Sequence, residues 1–316
     1  MNDRKITIIG AGSVGSTVAF MMAVKGLAAE IVMIDINEKK ALGEAMDIRQ
    51  GTAFTAPVKI YAGRYEDAAG SDIVVITSGL GRKPGQTRLD LAKVNVSIMK
   101  DIAAQISKVC PDAMFVIVSN PVDVLTYVFN KVTDVPESHI IGTGTLLDTA
   151  RLCSRLADYL DVSQKNVQAY VLGEHGDSSF VPWSIAEIGS VPIGQYQARL
   201  SGNDNIAMSL DYENIEQYMR TSGGKIIGRK GATFYAIAMS VCHICEAIYS
   251  DASEIITLSS MMHGEYGIDD VCLSVPTLLN GKGMDGKLIL NLTDEELQKL
   301  RHSADVLKDI IRQVEI

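Results

Sequence analysis

Through the first half of the chain, short apolar runs rich in β-branched residues alternate with helix-length segments. The runs Lys5–Gly10, Glu30–Asp35, Lys59–Ala62, Ile73–Ile76, Met114–Val118 and His139–Gly142 predict strands, with helices such as Val14–Lys25 and Val94–Val109 between them. Strands that are apolar at nearly every position, rather than at every second one, belong in a sheet covered on both faces. Six of them separated by helices predict an α/β fold built on a doubly wound parallel sheet with two mononucleotide-binding halves. After about Thr143 the pattern changes. An amphipathic helix at Leu146–Leu160 leads through a strand-like run, Val167–Leu172, into a glycine-rich stretch, followed by helices near Tyr212–Ile227 and Ala232–Tyr249. Strand-like runs then occupy Ile255–Met262, Val271–Leu279 and Lys287–Leu290, before a charged amphipathic helix, Thr293–Val314, whose Thr-Asp-Glu-Glu opening reads as a cap. The expected division is a Rossmann dinucleotide-binding domain over residues 1-143 and an α+β substrate domain over 144-316, without a low-complexity linker between them.

Composition narrows the function classes. At 316 residues the chain is long enough for two packed domains, and 47% apolar with 21% charged residues suits a globular enzyme. A net charge of −9 argues against nucleic acid or an anionic membrane as partner, since both demand a basic face. No apolar run approaches the ~20 residues that span a bilayer, and the opening residues lack the long apolar core of a signal peptide. The five cysteines, Cys110, Cys153, Cys242, Cys245 and Cys272, are scattered and odd in number. They fit a reducing, cytoplasmic setting better than a disulfide framework.

Gly10-Ala-Gly12-Ser-Val-Gly15 follows the first apolar strand and opens a helix. In that context Gly10 permits the turn, Gly12 lets a pyrophosphate approach the backbone and Gly15 lets helix and strand pack closely. The helix start, at Ser13 and Val14, supplies free N–H groups and partial positive charge for phosphates. A plain strand–helix turn is the bland alternative. Asp35 lies 20 residues past Gly15, where a carboxylate accepts from ribose hydroxyls and repels a 2′-phosphate, so the expected cofactor is NAD rather than NADP.

Of the histidines, His139, His243, His263 and His302 lie on ordinary elements. His175 lies in Gly173-Glu-His-Gly-Asp-Ser178, a polar glycine-flanked turn, where reversible proton transfer is the natural reading. Asp148 and Arg151, three apart on a predicted helix, share a face. Arg151 would clamp a carboxylate through its planar fork, although such a spacing also describes a surface ion pair. The segment Gly79–Leu91, with three glycines, a proline and three cationic side chains after the fourth strand, reads as a lid or as a solvated loop. Cys242-His-Ile-Cys245 offers one cysteine pair on an apolar helix, too few ligands for a structural zinc, so no metal is expected.

Taken in order, the glycine turn, Asp35, the lid, Val118-Ser-Asn-Pro-Val122, Leu147–Leu152, Gly173–Ser178 and Lys230-Gly-Ala-Thr233 resemble the L-lactate/malate dehydrogenase family over essentially the whole chain. The resemblance implies an NAD-dependent hydride transfer to or from a short 2-oxo/2-hydroxy acid. It makes His175 the proton donor and acceptor, Asp148 its orienting partner, Arg88 the group that polarises the carbonyl and Arg151 the carboxylate clamp. It places Asn120 and Thr233 around the nicotinamide and substrate, with Ile237 near the ring, and implies a homotetramer or homodimer. A non-catalytic NAD-binding protein would need the glycine turn and Asp35 but not His175, Asp148, Arg88 and Arg151 together.

By the same resemblance, Arg82 faces the variable end of the substrate, where lactate enzymes usually carry Gln and malate enzymes Arg. Gln86 replaces a Glu usual in the lactate branch. Closing a lid over an Arg82 left unpaired by pyruvate would cost about 3–5 kcal/mol. The expectation is therefore oxaloacetate/L-malate, with pyruvate/L-lactate as the alternative that the rest of the chain favours. Cys153 and Gln168 stand where enzymes activated by fructose 1,6-bisphosphate usually carry Arg and His, so no activation by that ligand is expected.

Overall fold

The structure, a computed structural model, describes residues 3–81, 88–196, 210–250 and 252–314, the side chain of Arg88 excepted. The six early strands are β1 (Lys5–Ile9), β2 (Glu30–Ile34), β3 (Lys59–Ala62), β4 (Ile73–Ile76), β5 (Met114–Ile117) and β6 (Ile140–Gly142). They pair in parallel in the order β3-β2-β1-β4-β5-β6, with Ile6 of β1 lying between Ile31 of β2 and Ile73 of β4. This is the doubly wound sheet, and its reversal of strand order falls between β1 and β4. Lys59–Ala62 and Ile73–Ile76 have the bounds read from the sequence; the others end or begin a residue sooner or later.

Continuous apolarity follows from the two covered faces. Val74, Ile76, Phe115 and Ile117 join one core with α3 (Arg88–Val109) and α4 (Val122–Val132). The intervening Ile73, Val75 and Val116 join the other core with α1 (Ser13–Lys25), α2 (Glu38–Gly51) and a later helix, α7 (Tyr235–Tyr249). Two of these helices escape the sequence reading. In α4 every residue from Val122 to Phe129 is buried, so no polar stripe marks a helical period. In α2 only Ala41 and Ala45 are buried, too few apolar positions to define a face.

The three long strands of the second half do not form a sheet of their own. After α5 (Leu146–Leu160), the chain returns as β10 (Glu254–His263), β11 (Asp269–Asn280) and β12 (Gly283–Lys287). β10 lies antiparallel to β6 through Ser259 and Gly142, extending the parallel sheet into a mixed sheet of nine strands. A small sheet, β7 (Val167–Gln168), β8 (Glu187–Ile188) and β9 (Val191–Pro192), packs near α5 and α6 (Tyr212–Lys230) around Leu152, Leu156, Ile215 and Met219.

Two expected strands are corrected here. Val167–Leu172 is a strand only at Val167–Gln168, with one further bridge between Leu172 and Phe180. Lys287–Leu290 is not a strand, because β12 ends at Lys287. The Leu288 N–H reaches the carbonyl of Pro276 at 2.8 Å, but proline has no N–H to return, and the ladder stops. The last helix, α8 (Asp294–Gln313), begins with a reciprocal cap in which Thr293 and Glu296 bind each other's backbone N–H groups.

The seam between the two halves is tight. A Cβ on Gly142 would lie 2.4 Å from Thr126 Oγ1 and 2.8 Å from Ser259 Cβ. Gly142→Ala is expected to lower stability by about 1–3 kcal/mol, read as a lower urea midpoint; an unchanged midpoint would mean that the seam yields freely.

Candidate active site

At the carboxyl end of β1, the N–H of Gly10 bonds the carbonyl of Ile34 at 2.7 Å, tying the glycine turn to β2. Gly10 holds φ at +109°, and a Cβ on Gly15 would fall 1.8 Å from the Gly10 carbonyl oxygen. A side chain at either place would push α1 off the strand. Gly12 is different: among the described residues a Cβ there would meet nothing within 4 Å. No side chain among the described residues caps α1, and the first N–H groups of a helix have no acceptor within it. The open shelf in front of Ser13, Val14 and Gly15 therefore fits a diphosphate.

Asp35 follows β2, half-buried. One of its oxygens accepts from the Ala11 N–H at 2.7 Å and the other from the Asn37 N–H at 2.8 Å. The carboxylate thus fastens the glycine turn to the end of β2. Each oxygen keeps a further lone pair, the capacity that the sequence reading assigns to a ribose hydroxyl.

Asn120 stands at the carboxyl end of β5, exposed, and Ser119 beside it donates to the carbonyl of Ser78 at 2.5 Å. A residue the sequence did not single out joins these strand ends. Asn95 on α3, fully buried, accepts from the Leu80 N–H and donates to the carbonyls of Leu80 and Asn120, the last at 2.6 Å. It fixes the start of the predicted lid against the end of β5. Arg88 is the first residue of α3; its side chain, together with Arg82 and Gln86, lies outside the described residues.

The structure brings His175, Asp148 and Arg151 together. His175 Nδ1 lies 2.5 Å from Asp148 Oδ2, and Arg151 donates to the other oxygen, Oδ1, at 2.8 Å. Two threonines, Thr145 at the N-cap of α5 and Thr149 in its first turns, set this register. Thr145 donates to the carbonyl of Val171 at 2.5 Å, and Thr149 accepts the Val171 N–H at 2.9 Å. Asp148 lies between these anchors, and Val171 is four residues before His175, so the carboxylate and ring are held from both sides. The His175 N–H donates to Asp123 Oδ2 at 2.8 Å, a second contact absent from the sequence reading. Asp123 follows Asn120-Pro121-Val122 in the first turn of α4, where an acidic residue signals only a helix start.

The charges divide unequally. The Asp148 carboxylate raises the His175 pKa to about 9, against the opposing effect of burial. Burial pushes the Asp148 carboxyl up, but His175 and Arg151 together outweigh it and hold the group below its ordinary value. Among the described residues Asp123 has no guanidinium beside it, and burial lifts it to about 6, opposed by Ser259, the His175 N–H and the His175 charge. The His175 side chain is 27% exposed against 7% for Asp148, so the ring can meet a substrate while its carboxylate cannot. A proton-bearing imidazole, an ion-paired guanidinium and an open approach suit proton transfer to the oxygen of a bound anion.

Thr233 lies half-buried between α6 and α7, and Ile237 packs at the edge of the core containing Ala11 and Val118. Cys242 and Cys245 are buried in that core, while His243 pairs with Glu254 at 3.2 Å. Among the described residues no group of three or more such side chains could hold a metal. His263 pairs with Glu137 at 2.6 Å, away from this site. No helix among the described residues is long and apolar enough to cross a membrane.

Residues 4–142 match the family model for the lactate/malate dehydrogenase NAD-binding domain, and residues 145–316 the model for the lactate/malate dehydrogenase alpha/beta C-terminal domain. The chain belongs to the lactate/malate dehydrogenase family. As a member it is an NAD-dependent oxidoreductase acting on the CH–OH group of a 2-hydroxy acid, and the non-catalytic alternative falls away. This dehydrogenase is 45% identical to an L-lactate dehydrogenase of Acetivibrio thermocellus, over 99% of its own length and 98% of the relative. It is 44% identical to an L-lactate dehydrogenase of Priestia megaterium, over 96% and 95%. Two crystal structures superpose with a TM-score of 0.93 over 99% of both chains. They are a lactate dehydrogenase from a Medee basin deep-sea metagenome library, 37% identical, and the minor L-lactate dehydrogenase of Enterococcus mundtii, 36% identical.

Removing the carboxylate charge in Asp148→Asn should bring the His175 pKa in the dehydrogenase down from about 9 toward its ordinary 6.5. Titration of the ring by NMR measures this directly; a ring still titrating near 9 would assign the shift to another group.

Proposed function

We propose that this dehydrogenase interconverts pyruvate and L-lactate. The observation that carries the choice is whole-length similarity to relatives named L-lactate dehydrogenase, 41–45% identical over 96–99% of the chain. The oxaloacetate expectation rests on Arg82, with Gln86 beside it, and both lie outside the described residues. Arg82 keeps oxaloacetate/L-malate as the second reading.

In the proposed reaction Arg151 binds the substrate carboxylate through guanidinium edges not used by Asp148. His175 gives its proton to the carbonyl oxygen during reduction and takes it back from the hydroxyl during oxidation. Asp148 keeps Nδ1 protonated, leaving Nε2 to face the substrate, and stabilises the imidazolium. Arg88, by its place at the head of α3, is assigned to the developing negative charge on that oxygen. Gly10–Gly15 and Asp35 would hold NAD, with Asn120, Thr233 and Ile237 around its nicotinamide ring, and the bound cofactor would supply the hydride chemistry. The imidazole needs its proton for reduction. Pyruvate kcat/KM should therefore be level at neutral pH and fall as pH rises through about 9, while lactate oxidation should rise over the same range.

The division at 143/144, a homodimer or homotetramer, and a cytoplasmic setting complete the proposal. Exposed apolar side chains on neighbouring helices, Phe20 and Val24 of α1 and Tyr235 and Met239 of α7, support self-association. Fructose 1,6-bisphosphate is not expected to activate the enzyme: the Cys153 thiol, raised to about 11 by burial, is neutral and turned to the carbonyls of Val167 and Ala169. A fall in the pyruvate KM on adding it would show otherwise.

Steady-state NADH oxidation with pyruvate and oxaloacetate tests the choice. The wild type should prefer pyruvate. If it prefers oxaloacetate and Arg82→Gln reverses that preference by roughly 10²–10³-fold, Arg82 is the selector and the enzyme is a malate dehydrogenase.

A further inference from the structure

The turn that carries His175 has its backbone N–H groups assigned to different parts of the molecule. Gly173 donates to Ser274 of β11 at 3.0 Å, and His175 to Asp123 of α4 at 2.8 Å. Between them, the Glu174 N–H donates to Ser303 Oγ at 2.7 Å. Ser303 lies on α8, is fully buried, and belongs to none of the motifs that define the site.

Its bonding closes on itself. The Glu174 N–H donates to the Ser303 hydroxyl, which lies 2.9 Å from Ser178 Oγ; Ser178 in turn donates to Glu174 Oε2 at 2.5 Å. With Ser303 donating to Ser178, each hydroxyl gives one hydrogen and receives one, and the ring begins and ends on Glu174. The helix also stands hard against the turn. A Cβ on Gly173, where φ is +93°, would lie 2.6 Å from Ser303 Oγ. Ser303 therefore spans both ends of the turn, while Asp123 and Ser274 each hold one point.

We propose that Ser303 is a positioning residue for His175: its hydroxyl fixes the peptide immediately before the histidine, so that the C-terminal helix sets where the imidazole stands against Asp148. The proposal rests on His175 being the proton carrier of the reaction proposed above. Losing the hydroxyl leaves the Glu174 N–H without its acceptor and frees the turn to pivot about Asp123. The short contact between His175 and Asp148 then lengthens, and the field that holds the imidazole protonated weakens. The charged groups that act on His175 are Asp148 and Arg151 from α5 and Asp123 from α4, while Glu174 of the turn acts on Asp123. α8 meets the turn with a neutral hydroxyl. Its Lys299 and His302 line an adjacent cavity of about 350 Å³ with Asp177, Glu216 and Arg220.

The test is Ser303→Ala, with Ser303→Cys, which keeps a weaker acceptor of similar shape, as the companion variant. NADH binding, followed by fluorescence, counts the folded sites. On that basis kcat for pyruvate should fall about 10-fold in the alanine variant and less in the cysteine variant. The pyruvate KM should change less than about twofold, because Arg151 sits on α5. The His175 titration, read by NMR, should move down from about 9, and the alkaline limb of kcat/KM should follow it. A kcat per NADH-binding site within about twofold of wild type, together with an unmoved titration, overturns the proposal. So does a fall in kcat without movement of the titration. A moved titration with unchanged kcat keeps the positioning role and instead overturns His175 as the proton carrier. If the alanine variant yields no NADH-binding protein, the cysteine variant carries the same readouts.

Discussion

A carboxylate kept from water beside an imidazole that must bear a proton is the constraint on which the site depends. Asp148 alone, at its depth, would be driven toward its neutral form. The His175 ring on one oxygen and the Arg151 guanidinium on the other keep it charged. The same charge then holds the proton on His175 against burial. A displacement of about 1 Å would weaken both effects together, which explains why so much backbone is fastened around this pair. Thr145 and Thr149 lock α5 to Val171, and β11, α4 and α8 each take one N–H of the turn beyond it.

The shared sheet brings that pair to the cofactor cradle. The glycine turn leaves β1, the Thr77-Ser78 segment leaves β4 and the Ser119-Asn120 segment leaves β5, all at the carboxyl ends of adjacent strands. α5 begins four residues after β6 ends, so a short connection carries Asp148 and Arg151 to the same edge. β10 then pairs with β6, and β11, hydrogen-bonded to β10, fastens Gly173. A rigid sheet, rather than a linker, thus spans the distance between the glycine turn and the His175–Asp148 pair. The crowded seam at Gly142 is the consequence of joining them so closely.

Residues that hold backbone share a property that hides them. Asn95, Asp123 and Ser303 are polar, buried, and bonded to main-chain groups far away along the chain. Their partners are peptides, which carry no sequence signature. On their own helices they look like an exposed polar residue, an acidic first turn and a neutral spacer. The Glu296 cap is the contrasting case. It binds Thr293 three residues earlier and was legible, yet its further hold on Ser184, at 3.0 Å to the N–H, was not.

The sequence by itself determined whatever is local or repeats with a period. Two-sided apolar strands and intervening helices specified the doubly wound sheet, and the glycine spacing specified the strand–turn–helix at its first crossover. The i, i+3 step put Asp148 and Arg151 on one face, because the geometry of a strand, turn or helix follows from a few neighbouring residues. The ordered motifs extended this to the family. Only the tertiary structure decided that the later strands continue the first sheet, that Asp35 also fastens Ala11, and that Lys287–Leu290 leaves the ladder at Pro276. It also decided that His175 is held by residues 27, 52 and, through Glu174, 129 positions away. Such contacts depend on which surfaces meet once the chain is packed, and a polar residue reads the same in sequence whether it faces water or a distant peptide.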